Sequence, residues 1–309
     1  MAETIQQITI IIPVHNRAGI VGKTLESIRQ QSFRPLSVIL VDNNSTDNTH
    51  ELLRQWKAAV EAPDMQVTVT SESIPGATAA RNRGLGLATT PYVMFFDSDD
   101  IMAPNHVERA MNAFRQHPSA DIIGWDCGIN TISGKHITRG FYTADLIWNC
   151  IMFGSMATQR YAMRTSFARQ AGGWDNDMPG WNDIEFGIRL LLQQPVIIKA
   201  GDAITVETYR HPQSITGTTF SSTPWKWEKA LDTIESNLPS KRTRRYVQLR
   251  RAILAGDYAH EGARQEASRL MAKVVDKEKC PFYRTLYRLT YFYNSHGGRG
   301  TARLLRLLF

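Results

Sequence analysis

The chain has 309 residues, is 42% hydrophobic and 21% charged, and carries a formal net charge of +7, values ordinary for a globular protein with a sizeable core. Its three cysteines, Cys127, Cys150 and Cys280, are far apart and form no CxxC pair, which excludes a disulfide framework or a cysteine zinc site and points to a reducing compartment. The opening MAETIQQITIIIPV places an acid where a secretory leader needs a basic region, and no apolar run nears the ~20 residues that span a bilayer, so a cytosolic location is expected.

In chain order, ITIIIPV (8–14) is a β-branched run that predicts a buried strand. GIVGKTLESIRQQ (19–31) spaces Ile20, Leu25 and Ile28 as a helix would. SVILVDNNS (37–45) is a second strand ending in turn residues, and STDNTHELLRQWKAAV offers a capped amphipathic helix. MQVTVTS (65–71) alternates as a third strand, TAARNRGLGLA reads as a helix, and PYVMFFD (91–97) is a fourth buried strand. This rhythm predicts an α/β fold: a Rossmann-like, mostly parallel sheet with helices on both faces. From Trp225 onward, WKWEKALDTIESNL, KRTRRYVQLRRAILAG and EGARQEASRLMAKVVDKE predict helices, so the expected division is a domain over 1–222 and a helical basic region over 223–309. Residues 240–309 hold 16 Lys+Arg against 5 Asp+Glu, a bias that expects an anionic partner, membrane surface or nucleic acid. No nucleic-acid motif accompanies it.

Ligands of open parallel sheets bind outside the carboxyl ends of the strands. Polar clusters follow three predicted strands: Asn16-Arg17, Asp42-Asn43-Asn44 and Asp97-Ser98-Asp99-Asp100. Asp97 and Asp99, two apart at a strand end, can direct hard oxygens at one divalent cation, Mn²⁺ or Mg²⁺, which commonly bridges carboxylates to substrate phosphates. The plainer alternative is an acidic turn before the PNHVERAMNAF helix. There is no GxxxxGK[ST] loop, and GLGLAT lacks the third glycine of a dinucleotide fingerprint, so Gly84 and Gly86 are read as close-packing positions.

TIIIPVHNR, LESIRQQSFRPLSVILVDNNSTDNT, GATAARNRGL, FFDSDD, GGWDNDMPGWNDIEFGIRL and YRHPQSIT stand in the order and spacing of the family 2 glycosyltransferases of GT-A fold, and over residues 5–217 the chain resembles that family. The resemblance implies an inverting, metal-dependent transfer of a sugar from a nucleotide-diphospho sugar, most often a UDP-sugar, to a glycan or lipid-linked acceptor, as in surface polysaccharide synthesis. It implies a nucleotide pocket lined by Pro13, Val14, Asn16 and Arg17, with Asp42 accepting from the base and Arg81 near base or phosphates. Asp97-Ser98-Asp99 matches the DxD motif: Asp97 beside ribose or metal, Asp99 as metal ligand, His211 completing the site with Arg210 beside it. Asp183 matches the general base, with Glu185 and Asp175 as weaker alternatives. Asn182 departs from the family's usual Glu, and Trp181, Asn182 and Trp174 fall on the expected acceptor side.

Plainer roles stand beside these: Arg81 as a surface arginine, Asp183 as a helix cap, His211 as a structural histidine and Trp174 as core. Two rival functions also remain, a sugar nucleotidyltransferase, whose basic glycine-rich loop PVHNRAGI does not resemble, and a non-catalytic nucleotide- or carbohydrate-binding protein. The tail CPFYRTLYRLTYFYNSHGGRGTARLLRLLF, if helical, either packs on the protein or lies on the inner face of the cell membrane.

Overall fold

The β-branched run at residues 8–14 forms a strand with every residue buried, the seed of the sheet in the computed structural model, which describes residues 8–210 and 219–309. The chain packs as two compact units. The first draws on Met1–Ala144, Met156–Asn176 and Leu190–His211, the second on Asp145–Ser155, Asp177–Arg189 and Pro212–Phe309. The division follows space rather than chain order, since two short segments from within the first 222 residues belong to the helical unit.

In the first unit, β1 (Ile8–Val14), α1 (Val21–Arg29), β2 (Leu36–Asp42), α2 (Thr49–Val60), β3 (Met65–Ser71), α3 (Ala77–Leu87) and β4 (Tyr92–Phe95) realise the predicted alternation. β5 (Ile101–Met102), α4 (His106–Gln116), β6 (Ile122–Gly124), β7 (Cys127–Asn130) and β8 (His136–Arg139) follow. After α5 (Leu146–Phe153) come β9 (Tyr161–Arg164), α6 (Thr165–Gln170), α7 (Asn182–Leu192), β10 (Ile197–Lys199) and β11 (Val206–Tyr209). The main sheet has the order β10-β6-β9-β4-β1-β2-β3. β1 pairs parallel with β2 on one side and β4 on the other, and β9 alone runs antiparallel to its neighbours. β1 is therefore where the strand order switches, and the carboxyl ends of β1, β2 and β4 share one edge.

Two strands stop where the chain turns, β2 at the turn residues that follow its apolar run and β4 short of its predicted end. β2 stops at Asp42 because Asn44 enters the left-handed region (φ 59°). β4 stops at Phe95 because the chain turns at once, with Asp100 N–H donating to the Asp97 carbonyl. A second sheet, β5-β11-β7-β8, has no counterpart among the predicted elements, since its strands are two to four residues long and too short to show a period.

The second unit is helical: α5, the opening turns of α7, α8 (Pro224–Asn237), α9 (Lys241–His260), α10 (Arg264–Lys277), α11 (Pro281–Ser295) and α12 (Thr301–Leu305). The long α9 is its spine, capped by Ser240, whose hydroxyl accepts from Thr243 N–H. Against it pack α5, α8, α10 and α11. Trp148 of α5 meets Tyr246 edge-on at 4.9 Å. Part of the basic composition is consumed internally, since fully buried Arg251 donates to Glu235 and Asp232 of α8 at 2.6 Å each. Among the described residues no helix is long and apolar enough to cross a membrane.

Candidate functional site

The loops leaving β1 and β2 are bound to each other before any ligand is considered. Asn16, itself left-handed (φ 50°), accepts from Thr46 N–H at 2.7 Å, while its own N–H donates to the Ser45 hydroxyl. The Arg17 and Ala18 amides donate to Thr49 and Asp47. Pro13 and Val14 are buried and lie in register with Val41 and Asp42. The side chain of buried Asn43 holds the next loop, donating to the carbonyls of Glu72 and Ile74 and accepting from Gly76 N–H.

Asp42 closes β2 and is only 6% exposed. Its Oδ2 stands 3.5 Å from His50 Nδ1, whereas its buried Oδ1 has no hydrogen-bond partner. An unpartnered buried carboxylate oxygen is costly, by about 1–3 kcal/mol or more, so a strand-end acceptor of this kind is a ready seat for a ligand N–H.

The second feature lies at the end of β4. Arg81 of α3 is 5% exposed, so it is not the surface arginine that its helix could have supplied. Its Nη2 donates to Asp97 Oδ1 at 2.7 Å, its guanidinium sits 4.5 Å from the centroid of the Trp174 ring, and its Nε and Nη1 are buried without partners. Trp174 is buried edge-on against Phe95 at 5.2 Å. It is held there by Asn82, which donates to the Trp174 carbonyl at 2.7 Å and accepts from its N–H at 2.8 Å. Trp174 therefore packs beneath Arg81 in the first unit. Neither Asn82 nor this stacking carried a local sequence signal, because both depend on a segment about ninety residues away.

The acidic turn itself is graded by burial. Burial raises the Asp97 carboxyl above its ordinary range, opposed by Arg81 and Arg17 and reinforced by Asp99. Burial followed by repulsion from Asp97 and Asp99 pushes Asp100 well up, and its Oδ1 accepts from Tyr209 N–H. Ser98 is buried, while Asp97 and Asp99 keep partial exposure. Among the described residues no group of three or more His, Cys, Asp or Glu gathers to hold a metal. The two hard carboxylates fit a cation of the Mg²⁺ or Mn²⁺ type, which keeps waters and substrate oxygens in its shell and needs only one or two protein acids. His211, the third expected ligand, lies outside the described residues; Arg210 is exposed, with its amide on the Asn130 carbonyl.

In the second unit, Trp181 is left-handed (φ 48°) and heads α7, its carbonyl accepting from Glu185 N–H. Its ring lies 5.0 Å from that of Trp227 and 6.1 Å from that of Phe220, with the Arg250 guanidinium 4.9 Å from its centroid. Asn182 and Asp183 open α7, so Asp183 lies inside the first turn and is not the cap residue. Glu185 is 1% exposed and engaged by Arg189 and Asn237, which removes it as a free base. Asp175 belongs to the first unit.

Fold and comparisons now agree on a class. The mostly parallel sheet, with its switch at β1 and its DxD turn after β4, is the GT-A fold of nucleotide-diphospho-sugar transferases. Residues 9–162 match the model for glycosyl transferase family 2, and the chain belongs to that family. Glycosyltransferase GlyG of Streptococcus pneumoniae is 27% identical over 168 residues, 54% of this chain and 51% of that protein. The chain spans about half or less of the length of the first curated relatives it matches. Staphylococcus aureus TarS, residues 1–349 in complex with UDP-GlcNAc, superposes with a TM-score of 0.64 at 17% identity, covering 95% of this chain and 93% of that one. The mannosyltransferase PcManGT of Pyrobaculum calidifontis, solved with GDP-Man and Mn²⁺, gives 0.58 at 16% identity, covering 97% and 86%.

Proposed function

We propose that this chain is a metal-dependent inverting glycosyltransferase that binds a nucleotide-diphospho sugar, a UDP-sugar by preference, at the shared edge of β1, β2 and β4. One observation carries this reading. Along that edge, buried polar atoms are left without partners on both sides of the strand switch, Asp42 Oδ1 on one and Arg81 Nε and Nη1 on the other. An acceptor suited to a base N–H and donors suited to a ribose or phosphate oxygen are what a nucleotide would satisfy. The UDP-GlcNAc and the GDP-Man with Mn²⁺ in the two solved neighbours support it.

Asp97 and Asp99 would hold the cation, joined by His211; when bound, it supplies positive charge against the departing diphosphate. The Arg81–Asp97 pair fixes one face of the pocket and keeps its guanidinium oriented. In the transfer, the acceptor oxygen attacks the anomeric carbon from the face opposite the diphosphate. The new glycosidic bond forms as the bond to the diphosphate breaks. The acceptor's proton passes to Asp183, in the first turn of α7, as general base. Trp181 and Asn182 would face the acceptor, a glycan or a lipid-linked hydroxyl compound of cytoplasmic surface-polysaccharide synthesis. Asn182, where the family usually has Glu, favours one other reading, a nucleotide-binding protein without transfer.

Asp183→Asn separates the two. It should bind UDP with Mn²⁺ as the wild type does and lose transfer by about 10²-fold or more. Transfer at near the wild-type rate would assign the base elsewhere, and no transfer by the wild type from any nucleotide sugar that it binds would favour the non-catalytic reading.

A further inference from the structure

We propose that the outer face of α11, together with α12 and the residues after it, docks on an anionic lipid surface. α11 is two-faced. Leu286, Tyr287, Thr290 and Asn294 are buried, and α11 comes so close to α9 that a Cβ on Gly256 would lie 2.5 Å from Asn294 Cβ. Phe282, Leu289, Phe292 and Tyr293 are exposed, and so are Leu304, Leu307 and Leu308, with Leu307 94% open to solvent. The last residues lie along the first turn of α11, where the Tyr283 hydroxyl donates to the Leu308 carbonyl at 3.2 Å and its ring stands 5.2 Å from that of Phe309. Seven large apolar side chains thus stay uncovered in one region of the helical unit.

The charge around them selects the partner. Residues 279–309 contain six Lys+Arg and no Asp or Glu. Arg299 is paired with Asp257, but Arg284, Arg288 and Arg303 have no carboxylate within ion-pair reach among the described residues. Five basic residues of α9 and α10 are treated differently: Arg245, Arg251, Arg269, Lys273 and Lys277 each meet an acid. A second copy meeting this face across a two-fold axis would bring arginine against arginine with nothing to offset them. A nucleic acid would satisfy the arginines and leave the leucines and phenylalanines in water. An anionic bilayer surface satisfies both, taking Leu and Phe at the acyl boundary and Arg among the head groups.

Because α11 buries Tyr287 in the helical unit, deleting it would uncover the core, and point substitutions of exposed residues are the cleaner probe. The full chain should sediment with vesicles of equal parts phosphatidylglycerol and phosphatidylcholine, weakly with phosphatidylcholine alone, and less as salt rises. Arg288→Gln and Arg303→Gln should each weaken this by about fivefold, and Phe292→Ser with Leu307→Ser should abolish it, with melting temperatures unchanged. Equal sedimentation with neutral vesicles, or indifference to all four substitutions, would overturn the assignment. So would a lipid-free dimer dissolved by Leu307→Ser, which gives the face to a second copy. RNA binding lost in the arginine variants and kept in Leu307→Ser would give it to nucleic acid. Vesicle association is read without donor or metal, so its failure is distinct from a failure of the transfer reaction.

Discussion

A methyl group added at Gly84 tests how tightly the site's scaffold is set. The Cβ of Gly84→Ala would lie 2.3 Å from Ile11 Cγ2, 3.3 Å from its Cγ1 and 3.4 Å from its Cβ. Non-bonded carbons sit at about 3.5–4.0 Å, so α3 must retreat from β1 by roughly an ångström or the buried Ile11 must move. Overpacking of this kind costs about 1–3 kcal/mol, offset in part by the roughly 1 kcal/mol that Ala gains over Gly inside a helix. Gly86, two residues on, is exposed, and a methyl there would meet nothing within 4 Å, so Gly86→Ala should simply gain that helical increment of about 1 kcal/mol. In urea unfolding the Gly84→Ala midpoint should fall and the Gly86→Ala midpoint rise. Gly84→Ala should also weaken UDP binding, because Arg81 lies one turn upstream and reaches Asp97 across 2.7 Å. Ile11→Ala in the Gly84→Ala background should recover part of the loss. Equal midpoints for the two alanine variants would refute the packing argument.

Trp174→Leu removes the ring beneath Arg81 and should reduce UDP affinity by about fivefold, the worth of a cation–π contact near 1 kcal/mol, while Trp174→Phe keeps most of it. Titration calorimetry checks both; equal losses in the two variants would mean that the ring only fills space. A pH dependence follows from His106, which burial and the neighbouring Arg109 push down from 6.5 to about 3, with its Nδ1 on the Thr205 hydroxyl. The unfolded ring takes a proton below pH 6.5 and the folded one does not, so stability is complete above that pH and falls by about 1.4 kcal/mol per unit beneath it. His106→Gln should flatten this part of the acid limb in urea midpoints measured from about pH 7.5 to about pH 5; an unchanged slope would contradict the assignment.

The strands were legible where burial writes itself into the sequence: β1, buried on both faces, as a continuous β-branched run, and β3, half exposed, as an alternation, both on the residues that the pattern predicts. The three polar clusters were legible for the same reason, since each follows such a run. The short strands of the second sheet were not, having too few residues for a period. The two glycines of GLGLAT looked alike in sequence, yet only Gly84 faces Ile11, and Gly86 is no close-packing position. Arg81 was ambiguous because TAARNRGLGLA, rich in small residues, hides which face is buried. The brackets made by Asn43 and Asn82 were invisible because their partners come from other loops. The family resemblance named Asp183 and Trp174, but only packing showed that Trp174 supports Arg81 in the first unit.

The most direct test is a crystal of the protein grown with UDP and Mn²⁺. The uracil N–H should sit on Asp42 Oδ1, the guanidinium of Arg81 beside ribose or phosphate, and the diphosphate should be joined through the cation to Asp97 and Asp99. A nucleotide bound elsewhere, with Asp42 Oδ1 untouched and the acidic turn bare of metal, would contradict the proposed donor site.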